Sequence, residues 1–133
     1  MAKKIVYHGT VEGQPPHEYG APFHAGTLQA AKDRLDDEIS HGMYVDAPTR
    51  VTASIHAYEI GEGAPMSRRT WEDPMFYNNE NRAVPEHKEN RIYPYTNDRE
   101  DRDSVSYVIP SSFVGKHVKH LGVQFQDFYD LEP

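Results

Sequence analysis

Hydrophobic positions change period several times along this chain, and each change marks an element. The run Lys3-Lys4-Ile5-Val6-Tyr7-His8 is short, apolar and β-branched, and it stops at Gly9. That pattern reads as a buried strand arriving at a loop. The stretch from Val11 to Pro22 holds Gly13, Pro15, Pro16, Gly20 and Pro22, too many breakers for a helix or a central strand. A surface loop is therefore expected, leading into a brief strand at Phe23-His24-Ala25. Leu28, Ala31, Leu35 and Ile39 then recur at helical spacing. The spacing predicts a helix from Leu28 to about His41, capped by Thr27 and stopped by Gly42, with Lys32, Asp33, Asp36 and Asp37 in solvent.

From Arg50 to Ile60 the period drops to two, with Val51, Ala53, Ile55 and Ala57 on one face and Thr52, Ser54, His56 and Tyr58 on the other. This alternation predicts a strand. Residues 61–91 keep no period and carry Gly61, Gly63, Pro65, Pro74 and Pro85, so they read as a long irregular excursion with at most a helical turn near Trp71. Strand character returns at Arg91–Tyr95, where Pro94 points to a sheet edge, and at Ser104–Ile109. A last strand is expected from His117 to Phe125, with Gly122 a candidate bulge. Asn97–Asp103 reads as a charged turn. The order of elements gives one α+β domain over residues 1–133, with a mainly antiparallel sheet and one main helix.

Composition narrows the function classes. The 133 residues carry 14 Lys and Arg against 21 Asp and Glu, a formal charge of −7. That balance opposes a general nucleic-acid or anionic-membrane binder, which needs clustered cations to displace counterions. No apolar stretch approaches the ~20 residues that cross a bilayer, and the first residues lack the apolar core of a secretory signal. A soluble, cytoplasmic protein is expected. With no Cys in the chain, disulfides, thiolate–zinc sites and cysteine nucleophiles are excluded together. Eight His are the compositional oddity: protonating all of them would move the formal charge from −7 to +1. Solubility and partner choice are therefore expected to depend on pH near ~6.5.

Tyr7-His8-Gly9-Thr10 is the most informative motif, followed at a distance by Phe23-His24-Ala25-Gly26-Thr27 at the head of the helix. A His beside Gly at a strand end either sets an imidazole next to backbone that a flat ligand can approach, or simply caps neighbouring carbonyls. Other motifs carry less. His117 and His120 have a zinc-finger-like interval, but on a strand they would face opposite sides, and no metal site is expected. Asp98, Asp101 and Asp103 lack the central Gly and closing Glu of a calcium loop. Arg68-Arg69 beside Trp71 is a candidate stacking surface. No nucleophile elbow or phosphate-binding Gly loop occurs.

Taken in order, Tyr7-His8-Gly9-Thr10, the aromatic strand running into a helix with Ala30-Ala31, Ile55-His56-Ala57-Tyr58-Glu59-Ile60, Ser106-Tyr107-Val108-Ile109-Pro110-Ser111 and Lys119–Phe125 resemble the ADP-ribosyltransferase fold, in its diphtheria-toxin-like and poly-ADP-ribose-polymerase-like branch. The resemblance implies a split, mainly antiparallel sheet and NAD as substrate. It also implies a ribose-holding His8, a Gly9 backbone that meets the nicotinamide amide with Thr10 beside it, and Phe23 as the stacking aromatic. The chain departs from the pattern twice. Lys32-Asp33-Arg34 stands where the helix would supply a second stacking Tyr, and Ser106 stands where the catalytic Glu would be. Glu100 and Asp103 are the nearest carboxylates and become the candidate catalytic groups. Two functions follow. One is transfer of ADP-ribose from NAD to a macromolecular acceptor. The other is a non-catalytic interaction or structural protein that reuses the fold to engage a protein partner. Small size, absence of Cys and the incomplete motif fit a bacteriophage-encoded protein acting in the host cytoplasm or sitting in a virion.

Overall fold

The β-branched run at the start of the chain does form a strand, but a longer one than its composition suggests. In the computed structural model, which describes residues 3–11, 15–20, 22–40, 50–68, 91–97 and 101–130, strand β1 spans Lys4–Val11 and carries through Gly9 without a break. His8-Gly9-Thr10 therefore lies inside a ladder, paired with His56, Ile55 and Ser54, and not at a strand end as the sequence suggested. Tertiary pairing along the neighbouring strand overrides the breaker tendency of one Gly.

A 3-10 turn, Pro16–Tyr19, ends at Gly20 in the left-handed conformation. It leads to β2 (Phe23–Ala25) and helix α1 (Leu28–Ser40). The Thr27 hydroxyl accepts a hydrogen bond from the Ala30 amide at 3.0 Å, the expected N-cap. Strand β3 (Arg50–Ile60), β4 (Tyr93–Thr96), β5 (Val105–Ile109), a 3-10 turn at Ser111–Phe113 and β6 (Val118–Asp130) complete the order. The expected positions of Gly42, Arg69 and Trp71 lie outside the described residues.

All named strand pairs are antiparallel, in two three-stranded sheets ordered β1-β3-β6 and β2-β5-β4. Pro94 sits on the edge strand β4, where its missing N–H costs no ladder bond. The sheets meet where Tyr7 and Gly26 exchange backbone hydrogen bonds at 2.7 and 2.9 Å. Between the sheets lies the main core, with Val6, Phe23, Tyr58, Ile60, Ile92, Ile109 and Val118 all buried. A second cluster forms where Ala31 and Leu35 of α1 press on Val11, Ala53 and Ile55.

Strand β3 therefore serves both cores. Its odd positions Ala53 and Ile55 face the helix, while its even positions Tyr58 and Ile60 face the second sheet. The alternation of faces is as expected, and both faces are buried: His56 and Tyr58 are 4% and 0% exposed. Strand β6 follows β3 with two register shifts, which leave Leu121 and Gln124 without a partner on either side of Gly122 and Val123. Gly122 has φ 93, so the bulge falls where a side chain would be strained. His117 lies in the turn before β6 and not on the strand as expected.

Candidate functional site

Pairing of β1 with β3 and the bridge from Tyr7 to Gly26 bring the two quoted motifs together. Tyr7, His8 and Gly9 from β1, His24 and Ala25 from β2 with Gly26 just after it, Arg34 from α1, Tyr95 from β4 and Ser106 from β5 line one small cleft. Its volume is about 30 Å³, enough for a water molecule but not for a nicotinamide ring.

His8 anchors the cleft. Its Nδ1–H donates to the His24 carbonyl oxygen, which fixes the neutral tautomer and leaves Nε2 as an acceptor. Burial lowers its pKa to about 4; the His24 carbonyl partly offsets this and the Arg34 charge adds to it. His24 shares a hydrogen bond of 2.9 Å with the Tyr95 hydroxyl through Nδ1, and the two rings meet edge to face at 5.4 Å. Its outer edge is exposed, yet the protein crowded around the ring, helped by Arg34, lowers its pKa to about 4 as well. Two neutral imidazoles near a guanidinium, with a phenol and a serine hydroxyl, form a set of hydrogen-bonding groups, and among the described residues no carboxylate lines the cleft.

The glycines are explained by packing. A Cβ on Gly9 would lie 2.7 Å from Leu35 Cγ and 2.8 Å from the Ala31 carbonyl oxygen, so Gly9 lets α1 lie directly on β1. A Cβ on Gly26 would come within 2.1 Å of Ser106 Oγ. Gly26 therefore lets β5 close over the helix entry. Ser106 itself is buried, and its hydroxyl accepts a hydrogen bond of 2.7 Å from Asn97 Nδ2.

Other nominated residues are not brought to the cleft. Phe23 is 4% exposed and packs in the core at 4.8 Å from the Tyr58 ring, touching His8 only edge to face at 6.3 Å. Thr10 pairs with Ser54 further along the ladder and does not line the cleft. Asp103 is exposed on a turn with φ 71 and does not line it either. Glu100 lies outside the described residues. The turn is tied to the helix instead: the Asp101 amide donates to Asp33 Oδ2 at 2.7 Å, and the Thr27 hydroxyl donates to Asp101 Oδ2 at 2.5 Å. Asp33 is thus a partner of that turn and not simply a solvated residue of α1.

His24, Arg34 and Tyr95 are the cleft residues that sequence reasoning did not nominate. His24 belonged to a quoted motif, but its role depends on Tyr95, 71 residues away.

A larger groove opens on the other side of α1. It measures about 280 Å³ and is lined by Lys32, Leu35, Asp36, Ala53, Ile55, Phe125 and Gln126. Lys32 Nζ stands 5.4 Å from the centre of the Phe125 ring. No group of three His, Asp or Glu among the described residues is arranged to hold a metal ion, and no described helix is long and apolar enough to cross a membrane. No known family model matches the chain, and neither a curated protein nor a solved structure shows significant similarity to it.

Proposed function

We propose that this protein is an ADP-ribosyltransferase-like NAD binder whose cleft, among the described residues, lacks the carboxylate for efficient transfer. The observation that carries the reading is His8: neutral, pinned at Nδ1 by the His24 carbonyl, and lining the cleft with Nε2 left to accept from a ribose hydroxyl. Binding requires the narrow cleft to widen, and the side chains of His24 and Tyr95 at its exposed rim are the groups that would move. Cleavage of the nicotinamide bond builds positive charge on the ribose, and a carboxylate stabilises that charge where the Ser106 hydroxyl does not. Glu100 or Asp103 would have to reach the cleft for turnover.

Ligand-observed NMR of NAD⁺ with the full chain tests this, because it detects binding in the ~mM range. Wild type is expected to bind, His8→Ala to lose binding, and neither to release nicotinamide at an appreciable rate. No binding by the wild type overturns the reading. A rate abolished by Glu100→Ala or Asp103→Ala would instead establish an enzyme with a displaced carboxylate.

The alternative is a non-catalytic interaction or structural protein. The groove between α1 and β6 favours it, being larger than the cleft and offering the exposed Phe125 ring to an apolar side chain of a protein partner. A complex that forms without NAD and is lost in Phe125→Asp would select this reading.

A further inference from the structure

Beside the cleft, and on the face of β3 that carries His56 and Tyr58, three more imidazoles and a phenol meet. His56 Nδ1 and His120 Nε2 face each other at 3.1 Å across β3 and β6. His17, from the Pro16–Tyr19 turn, lies on this pair: its ring is 4.9 Å from that of His120 and 5.6 Å, edge to face, from that of Tyr58. Its Nδ1 shares a hydrogen bond of 2.8 Å with the Tyr58 hydroxyl. These contacts, with the burial of Pro16, hold the turn on the sheet.

The charged and titratable groups around the cluster are few. Glu18 comes from the same turn and favours protonation of both His56 and His120. His8 is opposite His56 in the β1–β3 ladder, and a charge on His56 opposes protonation of His8. Glu59 and Lys119 are one step along their strands and belong to the opposite face. Burial and the neighbouring imidazoles lower the pKa of His56 and of His120. In the neutral pair one N–H lies between His56 and His120, but two charges in the cluster would meet at van der Waals range, with Glu18 the nearby carboxylate among the described residues.

We propose that His17, His56 and His120 form a proton-operated latch that holds the Pro16–Tyr19 turn on the sheet at neutral pH and releases it on mild acidification, uncovering Tyr58. Release lifts the His17 ring off His56 and His120 and opens that pair, which stays on β3 and β6, to water that screens its remaining repulsion, so protonation of the pair and release of the turn occur together. Rings that merely sit close without moving would titrate over a broadened range, because each proton opposes the next.

The test is an NMR titration of the full chain from pH 8 to pH 4, following the His ring protons and the backbone amides. The amides of Pro15–Gly20 neighbours Glu18 and Tyr19 and the three His rings are expected to change in one transition below pH 6.5, steeper than a single-proton curve, while the Ile109 amide stays unchanged. His120→Gln should make the transition shallower by about one proton, and His17→Gln should uncouple the Glu18 and Tyr19 amides from the titration of the His56 and His120 rings. Separate, shallow His titrations with unmoved Glu18 and Tyr19 amides would overturn the proposal. So would a transition in which Ile109 changes together with the turn, since that is global unfolding.

Discussion

Two histidine neighbourhoods share this small fold and are built on opposite rules. In the cleft, His8 and His24 each meet an oxygen, the His24 carbonyl and the Tyr95 hydroxyl. Along β3 and β6, His56 and His120 meet each other's nitrogens, and only His17 finds an oxygen, on Tyr58. The carbonyl oxygen, which can only accept, holds His8 in one tautomer, and burial favours its neutral form, which suits holding a ligand. An imidazole facing another imidazole has its charge decided by its neighbour, which suits responding to pH.

The largest expected effect separates the two through acid stability. The pKa of His8 is lowered in the fold to about 4 from an ordinary 6.5. Its contribution is therefore complete above pH 6.5 and is lost as pH falls through 6.5 towards 4, because the unfolded chain takes the proton first. That shift corresponds to about 3 kcal/mol. His24 acts in the same direction but contributes less, since its exposed edge is screened by water. Urea unfolding at pH 7 and pH 4 should reveal the loss, and His8→Gln should flatten it. A His8→Gln profile as steep as wild type would assign the acid sensitivity to the His17–His56–His120 cluster.

Gly9→Ala disturbs the cleft side alone. The added methyl meets the Ala31 carbonyl as well as Leu35, so the helix must shift, at a cost of about 1–3 kcal/mol by chemical denaturation. The titration of His120, on the far strand, is expected to stay as it is. Smaller still is the paired loss of the two phenol hydroxyls. Tyr58→Phe removes the oxygen from His17 at a fully buried ring and should cost about 1 kcal/mol. Tyr95→Phe should cost roughly half of that, because water replaces the hydroxyl at the exposed His24. Only Tyr58→Phe should change the steepness of the His-cluster titration.

Much of the architecture was readable in the chain because it rests on local periodicity. Leu28, Ala31 and Leu35 mark α1 by spacing, Thr27 caps it through its own hydroxyl, and Pro94 declares an edge by lacking an N–H. Gly122 announced a bulge that lies beside it. Gly9 misled for a physical reason: the same absent side chain that lets a ligand approach also lets a helix approach, and only the position of Leu35 distinguishes them. Phe23 had the composition of a stacking platform and the location of a core residue.

The sequence by itself determined the α+β class, the single main helix, the antiparallel strands and the surplus of histidines. Those follow from period, capping and composition, which act over a few residues. Tertiary structure alone decided which histidines became neighbours. His8 meets His24 because Tyr7 and Gly26 bridge the sheets, and His56 meets His120 because two one-residue register shifts, which together restore the face, move the pairing by two residues and set His120 opposite Tyr58, diagonal to His56, where unbroken pairing would set it opposite Ile60. A one-residue change of register reverses the face of every following side chain, so the partners of an imidazole, and with them its charge, are set by pairing between distant strands.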